Sequence, residues 1–180
     1  IGKHLEAGTT FPLNKVTNLD INLFHIDNTD ELGFDINTYS NINFDPTHHN
    51  GANLNIKTVL MDSWTLQAGY TYRDAFFTSG QYEDKTVPEI ARHKFNISNL
   101  FQLNEKSSLS IDATYTGSRY FGDDYANEGK KMSPYTWVDA GYNLTLESWK
   151  FTLSVKNLTN VNAANHGYYG PQPGFPHPYA

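Results

Sequence analysis

The sequence contains no cysteine, which excludes disulfide bonds and thiolate metal sites. It also lacks a basic cluster, because 13 Lys and Arg residues stand against 19 Asp and Glu residues for a net charge of -6. Binding to phosphate backbones needs clustered cations, so this balance argues against a nucleic-acid partner. No stretch approaches the ~20 consecutive apolar residues of a transmembrane helix. The first ten residues lack the form of a signal peptide, and we expect a processed or partial chain.

Aromatic residues are plentiful in a chain that is otherwise poor in apolar ones. Only 38% of the residues are hydrophobic, yet 14% are aromatic. The apolar residues recur at every second position, which predicts strands, and not at the third or fourth position that a helix requires. We predict about eight strands of about ten residues each, at 3–12, 17–27, 49–59, 64–74, 92–102, 108–120, 135–146 and 149–159.

Short polar connections and long irregular ones alternate along the chain. The short ones lie at 11–17, 60–63, 102–107 and 146–149, and the long ones at 28–48, 76–91, 121–133 and 160–180. This alternation predicts consecutive antiparallel hairpins, with all the short turns at one end of the sheet and all the long loops at the other.

The alternation of apolar and polar residues leaves two β architectures open. A soluble barrel turns its apolar face inward, whereas an outer-membrane barrel turns that face to lipid. The predicted strands are long enough to cross a bilayer with tilt, and aromatic rings such as Trp64 and Tyr72 gather near strand ends, where interfacial girdles lie. We therefore predict an all-β fold, an antiparallel up-and-down transmembrane β-barrel, of which about eight strands are present.

Six stretches of the sequence are similar to one family of outer-membrane proteins. They are ELGFDINTYSNINFDPTHHNGANLNI at 31–56, LQAGYTYRDAFF at 66–77 with VPEIARHKFNIS at 87–98, TYTGSRYFGDDYAN at 114–127, YTWVDAGYNL at 135–144 and FTLSVKNLTNVN at 151–162. In combination they resemble the C-terminal part of the barrel of TonB-dependent outer-membrane receptors. The chain departs from the family pattern where His48 and His49 replace a basic pair, where Ala52 and Asn53 replace Val-Glu, and where Ala91 replaces a proline.

The resemblance implies a barrel of about 22 strands with a plugged lumen, in the outer membrane of a Gram-negative cell. It implies the import of a scarce, bulky nutrient, most readily a ferric siderophore, or else a cobalamin-like ligand, with no cofactor and no enzymatic activity. The implied partners are the inner-membrane TonB energy-coupling complex, reached through a plug, the remainder of the barrel, and lipid with lipopolysaccharide. We expect residues 1–180 to be the C-terminal barrel segment, with the plug and the closing strand outside this sequence.

A second hypothesis belongs to a different class of function. It is a small, complete β-barrel that acts as an outer-membrane adhesion or ligand-binding module. Eight strands can close a barrel, so strand number alone does not separate this hypothesis from the first.

We expect ligand contacts from polar and aromatic side chains of the outer loops and rim. Aromatic rings offer stacking surfaces, and arginines bind the carboxylate or phenolate oxygens of a chelate. The candidates are Arg73, Tyr82, Arg92, Arg119, Tyr120, Tyr125, Tyr168 and Tyr169. The alternative for each is a girdle ring, or an arginine that balances a carboxylate in the lumen. No catalytic residues are predicted.

The histidines are the remaining candidates for a ligand site. They are His4, His25, His48, His49, His93, His166 and His177. We expect them to be loop and rim residues that make ordinary hydrogen bonds, and we predict no metal site.

Overall fold

The computed structural model describes residues 2–35, 39–169 and 176–177. These residues form strands, turns and irregular loops, and they include no helix that could cross a membrane. The strands are β1 (Gly2–Asn14), β2 (Thr17–Asn28), β3 (Leu32–Asp35), β4 (Ser40–Asn43), β5 (Thr47–Met61), β6 (Trp64–Phe77), β7 (His93–Asn104), β8 (Ser107–Thr116), β9 (Tyr135–Leu146), β10 (Trp149–Val155), β11 (Tyr168–Tyr169) and β12 (Pro176–His177).

The eight long strands form one open antiparallel sheet in the order β1-β2-β5-β6-β7-β8-β9-β10. Each strand therefore pairs with the next long strand along the chain, as in an up-and-down barrel wall. The short strands form two separate hairpins, β3 with β4 and β11 with β12. The all-β, antiparallel prediction is confirmed.

All four short connections are two-residue turns at the same end of the sheet, as the register partners Asn14↔Thr17, Met61↔Trp64, Asn104↔Ser107 and Leu146↔Trp149 show. Two of these turns are fixed by an asparagine side chain. Oδ1 of Asn14 accepts from the Val16 amide at 2.9 Å, and Oδ1 of Asn104 accepts from the Lys106 amide at 2.9 Å. Such local bonds hold the chain in a tight reversal, so the predicted short turns are confirmed.

Side chains of one parity form continuous rows across the sheet. One row runs from Leu54 through Tyr70 and Phe95 to Tyr115. The rings of this apolar face are open to the surroundings, with Phe95 49% exposed. Such a continuous apolar face must be covered by a packed interior or by lipid, and strands of 12 to 15 residues such as β2, β5 and β6 are long enough to cross a bilayer with tilt.

The other face carries the polar residues. Ser98 donates to Asp112 across two strands, and Thr71 donates to Asn53 at 2.9 Å. In an outer-membrane barrel this polar face lines the lumen. We call the two sides the lipid face and the lumen face.

The structure shortens or extends several predicted strands. The strand predicted at 149–159 ends at Val155, because Asn157 adopts a left-handed backbone (φ 52) and its amide donates to Asp139 at 2.8 Å. The strand predicted at 108–120 ends at Thr116. The predicted loop 28–48 contains the β3–β4 hairpin, and its last two residues already belong to β5.

Candidate functional site

The described parts of the long loops lie at one end of the sheet, which we call the outer rim (residues 29–35, 39–46, 78–92, 117–134 and 156–169). The loop at 78–92 folds back on the end of β6, where the Val87 amide donates to Ala75 at 3.0 Å and the Phe77 amide donates to Lys85 at 3.0 Å. Phe77 is only 2% exposed beneath it. The loop at 78–92 is therefore packed against the end of β6, over a buried phenylalanine ring.

Arg119 ties two of these loops together. Its guanidinium donates to the carbonyl oxygens of Ala164 at 2.7 Å and Asn165 at 3.0 Å, and it lies 5.4 Å from the centre of the Tyr135 ring. The residue is 4% exposed. Arg119, one of the predicted ligand residues, is therefore used in packing two loops together.

Four aromatic rings cluster on the lumen side of the rim. Tyr125 contacts Phe44 (5.1 Å between ring centroids), Tyr82 (5.4 Å) and Phe77 (6.2 Å). Two hollows of about 280 and 300 Å³ lie against these rings, and Phe44, Phe77 and Tyr125 line both of them. The structure thus brings the predicted residues Tyr82 and Tyr125 together, and we call the four rings the rim aromatic cluster.

Phe44 and Phe77 were not among the residues predicted from the sequence. Phe77 has the lumen-facing parity of β6, two positions beyond Ala75 and four beyond Arg73. That parity was a usable signal for Phe77. Phe44 lies between β4 and β5, where no periodicity marks its direction.

Arg73 lies deeper on the lumen face. Its guanidinium carbon is 5.4 Å from the centre of the Phe24 ring on β2. The Phe24 ring lies over Gly51 of β5. A Cβ atom at that glycine would overlap the Phe24 ring and the Tyr72 carbonyl. The missing side chain lets the ring lie flat on the wall beneath the arginine.

Arg92 and Tyr120 line a different hollow, of about 450 Å³, together with His93 and Lys131. The Lys131 ammonium is 4.4 Å from the centre of the Tyr120 ring, and Arg92 donates to Asp74 at 2.5 Å. His93 belongs to the lipid-face row, as the partner of Tyr72. This hollow is therefore on the outer side of the wall, away from the rim aromatic cluster.

The last two predicted ligand residues form a short strand. Tyr168 pairs with His177 and Tyr169 with Pro176. Their side chains lie outside the described residues.

Three polar side chains meet on the lipid face near the rim. The Nε2 atoms of His25 and His48 lie 2.9 and 2.8 Å from Oδ1 of Asp27. The predicted loop 28–48 included His48, but β5 begins at Thr47, so His48 belongs to the strand together with His49, which the predicted strand 49–59 already contained. The structure corrects the placement of His48, because strand pairing begins two residues earlier than the alternation indicated.

The family follows from comparison with known proteins. A family model described as "TonB dependent receptor-like, beta-barrel" matches residues 1–158. The chain belongs to the TonB-dependent receptor family. Its strand order, short turns and long rim loops are those of that family's barrel wall in the outer membrane.

Individual relatives are distant. The chain is 24% identical over 131 residues to the iron-regulated outer membrane virulence protein of Vibrio cholerae serotype O1, covering 71% of this chain and 20% of that protein. Among solved structures, it resembles the ferric yersiniabactin uptake receptor FyuA of Yersinia pestis, with a TM-score of 0.77, 18% identity, and coverage of 93% of this chain and 26% of the receptor. It also resembles the siderophore receptor PiuA of Acinetobacter baumannii, with a TM-score of 0.72, 19% identity, and coverage of 94% and 26%.

At these identities the solved structures establish the fold alone. The chain spans 20% of the curated relative and 26% of each of these two solved receptors. The resemblance to TonB-dependent receptors is confirmed, as is the prediction of a partial barrel in the outer membrane.

Proposed function

We propose that this chain is the C-terminal barrel segment of a TonB-dependent receptor that imports a ferric siderophore. The plug and the closing strand belong to the rest of the protein, and the plug mediates contact with the inner-membrane TonB complex. The lipid face contacts lipid and lipopolysaccharide. The named iron-regulated relative and the siderophore receptors of the same fold support this choice of nutrient over a cobalamin-like ligand.

The rim aromatic cluster is the observation that carries the proposal. It lies on the lumen side, where a ligand entering the barrel passes, and Tyr82 and Tyr125 are only half-buried beside two hollows. Aromatic rings stack on the flat ligand groups of an iron chelate, and the phenol oxygens offer hydrogen bonds. Arg73, lower on the same face, supplies positive charge for an anionic chelate.

Uptake of radioactive iron tests the proposal in cells that lack the native gene and produce the intact protein or a variant. Ferric complexes of catecholate, hydroxamate and carboxylate siderophores are offered singly, and cobalamin labelled with radioactive cobalt is offered as a further arm. We expect uptake of one ferric chelate class. The double variant Tyr82→Ala, Tyr125→Ala should need about tenfold more chelate for half-maximal uptake, as expected when ~1.4 kcal/mol of stacking is lost.

Tyr142→Ala provides the matched control, because Tyr142 lies on the lipid face toward the short-turn end, paired with Leu109 and Leu153. Its uptake should equal that of the unchanged protein. If cobalamin alone were taken up, the imported nutrient would be a cobalamin-like ligand and not a ferric siderophore. Binding of the protein to surfaces without uptake of any compound would favour the adhesion hypothesis instead.

A further inference from the structure

We propose that His25, Asp27 and His48 form a binding site for a divalent transition-metal ion, with Zn²⁺ as a suitable occupant. The site is on the lipid face next to the outer rim, on the opposite side of the wall from the rim aromatic cluster. It therefore does not depend on the proposed uptake function. It replaces the sequence-based expectation that no metal site is present.

Strand register builds the site. His25 and Asp27 are two residues apart on β2 and so point to the same face. His48 on β5 is the direct partner of Asp27. The three donor atoms lie within 4.8 Å of one another, although the residues come from two strands.

The distances fit a metal polyhedron. Histidine nitrogen and carboxylate oxygen bind Zn²⁺ at about 2.1 Å, so adjacent ligands stand about 3.0 to 3.4 Å apart in octahedral or tetrahedral geometry. The two nitrogen-to-oxygen separations, 2.9 and 2.8 Å, are close to the lower value. The two nitrogen-to-oxygen separations would therefore need to change by only a few tenths of an ångström, while the third separation, between the two histidines, is at most 4.8 Å.

The hydrogen bond at Nδ1 of His25 leaves Nε2, the nitrogen that faces Asp27, available to bind a metal ion. The side-chain oxygen of Asn50, which only accepts hydrogen bonds, lies 2.6 Å from Nδ1 of His25, so Nδ1 carries the proton. In the neutral ring Nε2 then presents a lone pair toward Asp27. A second residue that orients a histidine in this way is the usual companion of a metal ligand.

Asp27 supplies an independent sign of a missing ligand. Its Oδ1 atom is buried and has no hydrogen-bond partner among the described residues, despite the two nearby nitrogens. A buried carboxylate oxygen facing a nitrogen lone pair is unfavourable, and a cation between them removes the conflict. Two imidazoles with one carboxylate suit Zn²⁺, Ni²⁺ or Cu²⁺ better than Ca²⁺ or Mg²⁺, which prefer oxygen ligands.

The test uses the intact protein, extracted from the outer membrane in detergent and stripped with a chelator. ZnCl₂ is titrated by calorimetry into the unchanged protein and the variants Asp27→Asn and His48→Asn. We expect the loss of one zinc equivalent, or at least tenfold weaker binding at that site, in each variant. Asn50→Ser should weaken binding about 10- to 100-fold, as is typical when the residue orienting a ligand is lost.

His4→Asn is the control. His4 lies on the neighbouring strand β1, but as the partner of Ile26 it belongs to the opposite face. The His4→Asn variant should bind zinc as tightly as the unchanged protein does. Equal zinc binding in all four variants, or no zinc binding by the unchanged protein, would overturn the proposal.

A spectroscopic readout covers the case in which the variants fail to assemble. Cu²⁺ added at one equivalent to the unchanged protein should give an electron paramagnetic resonance spectrum with coupling to two imidazole nitrogens. A spectrum with oxygen ligands only would contradict the site.

Discussion

The side-chain amide of Asn127 pairs with the backbone of Thr86 as a neighbouring strand would. Oδ1 of Asn127 accepts from the Thr86 amide at 2.6 Å, and Nδ2 donates to the Thr86 carbonyl at 3.0 Å. The two residues belong to different rim loops. One side chain thus satisfies a backbone donor and acceptor that the loop at 78–92 would otherwise leave unpaired.

Replacing Asn127 with glycine should loosen the rim. Glycine tolerates the left-handed backbone at this position (φ 59), so the substitution adds no strain. It removes the two hydrogen bonds to Thr86 and a third from Nδ2 to the Asp124 carbonyl at 3.1 Å, each worth about 1 kcal/mol. We expect trypsin added to whole cells to cleave this variant after Lys130 and Lys131 at least tenfold faster than it cleaves the unchanged protein. Asn162→Gly, at an exposed position of another rim loop, should leave the cleavage rate unchanged. Equal cleavage rates in the two variants would mean that the pairing does not hold the loops.

We expect an uncharged replacement of Arg119 to weaken the packing between the rim loops that this residue joins. Arg119→Met leaves the Ala164 and Asn165 carbonyls without their donor, and hydrogen bonds to a charged group are worth about 1.5 to 3 kcal/mol each. The residue is nearly buried, so solvent compensates little. We expect the loop at 156–169 to become protease-sensitive while the wall stays folded, as judged by the heat-dependent shift on electrophoresis.

Arg119→Lys separates charge from geometry. It keeps the charge but not the planar fork, so it should restore only part of the protection. Full protection in the lysine variant would show that charge alone is sufficient.

Gly51 should be the least replaceable glycine of the wall. A Cβ atom there would overlap both the Phe24 ring and the Tyr72 carbonyl, and the carbonyl belongs to a sheet that cannot move independently. We expect Gly51→Ala to lower the amount of assembled protein in the outer membrane several-fold. Gly8→Ala is the control, because its Cβ would meet Asn22 and Ile21 at 3.2 Å, a contact that small shifts relieve.

The double variant Phe24→Ala, Gly51→Ala measures how much of the assembly defect comes from the Phe24 ring and how much from the Tyr72 carbonyl. It removes the ring but leaves the carbonyl contact. Assembly should recover only partly, and complete recovery would assign the whole effect to Phe24.

The wall was predictable because strand periodicity acts locally. Alternation along a stretch such as 64–74 fixes which side chains share a face before any partner strand is known. The short turns were equally readable, since residues such as Asn14 and Asn104 fold the chain through bonds to their own neighbours.

Contacts between strands and loops could not be read in the same way. His48 meets Asp27 only through the register of β2 and β5, and a shift of one residue would send it to the other face. Tyr82 and Tyr125 meet because two loops fold over β6, and loop sequences carry no periodicity. The six candidate ligand residues whose side chains the structure describes therefore divide among the lumen face, the rim and the outer side of the wall in a way that composition does not indicate.

The orientation of the wall is tested by two neighbouring residues of β7. Ile97 lies between Ala68 and Ala113 on the lipid face, and Asn96 points to the lumen face between Gly69 and Thr114. A lysine on the lipid side near the bilayer midplane costs about 2 to 4 kcal/mol, whereas a lumen position keeps the charge in water. Ile97→Lys should therefore lower the urea concentration at which the barrel unfolds in lipid vesicles, and Asn96→Lys should leave it nearly unchanged. The reverse order of the two variants would mean that the apolar face packs inward, as in a soluble barrel, and would contradict the assignment of the two faces.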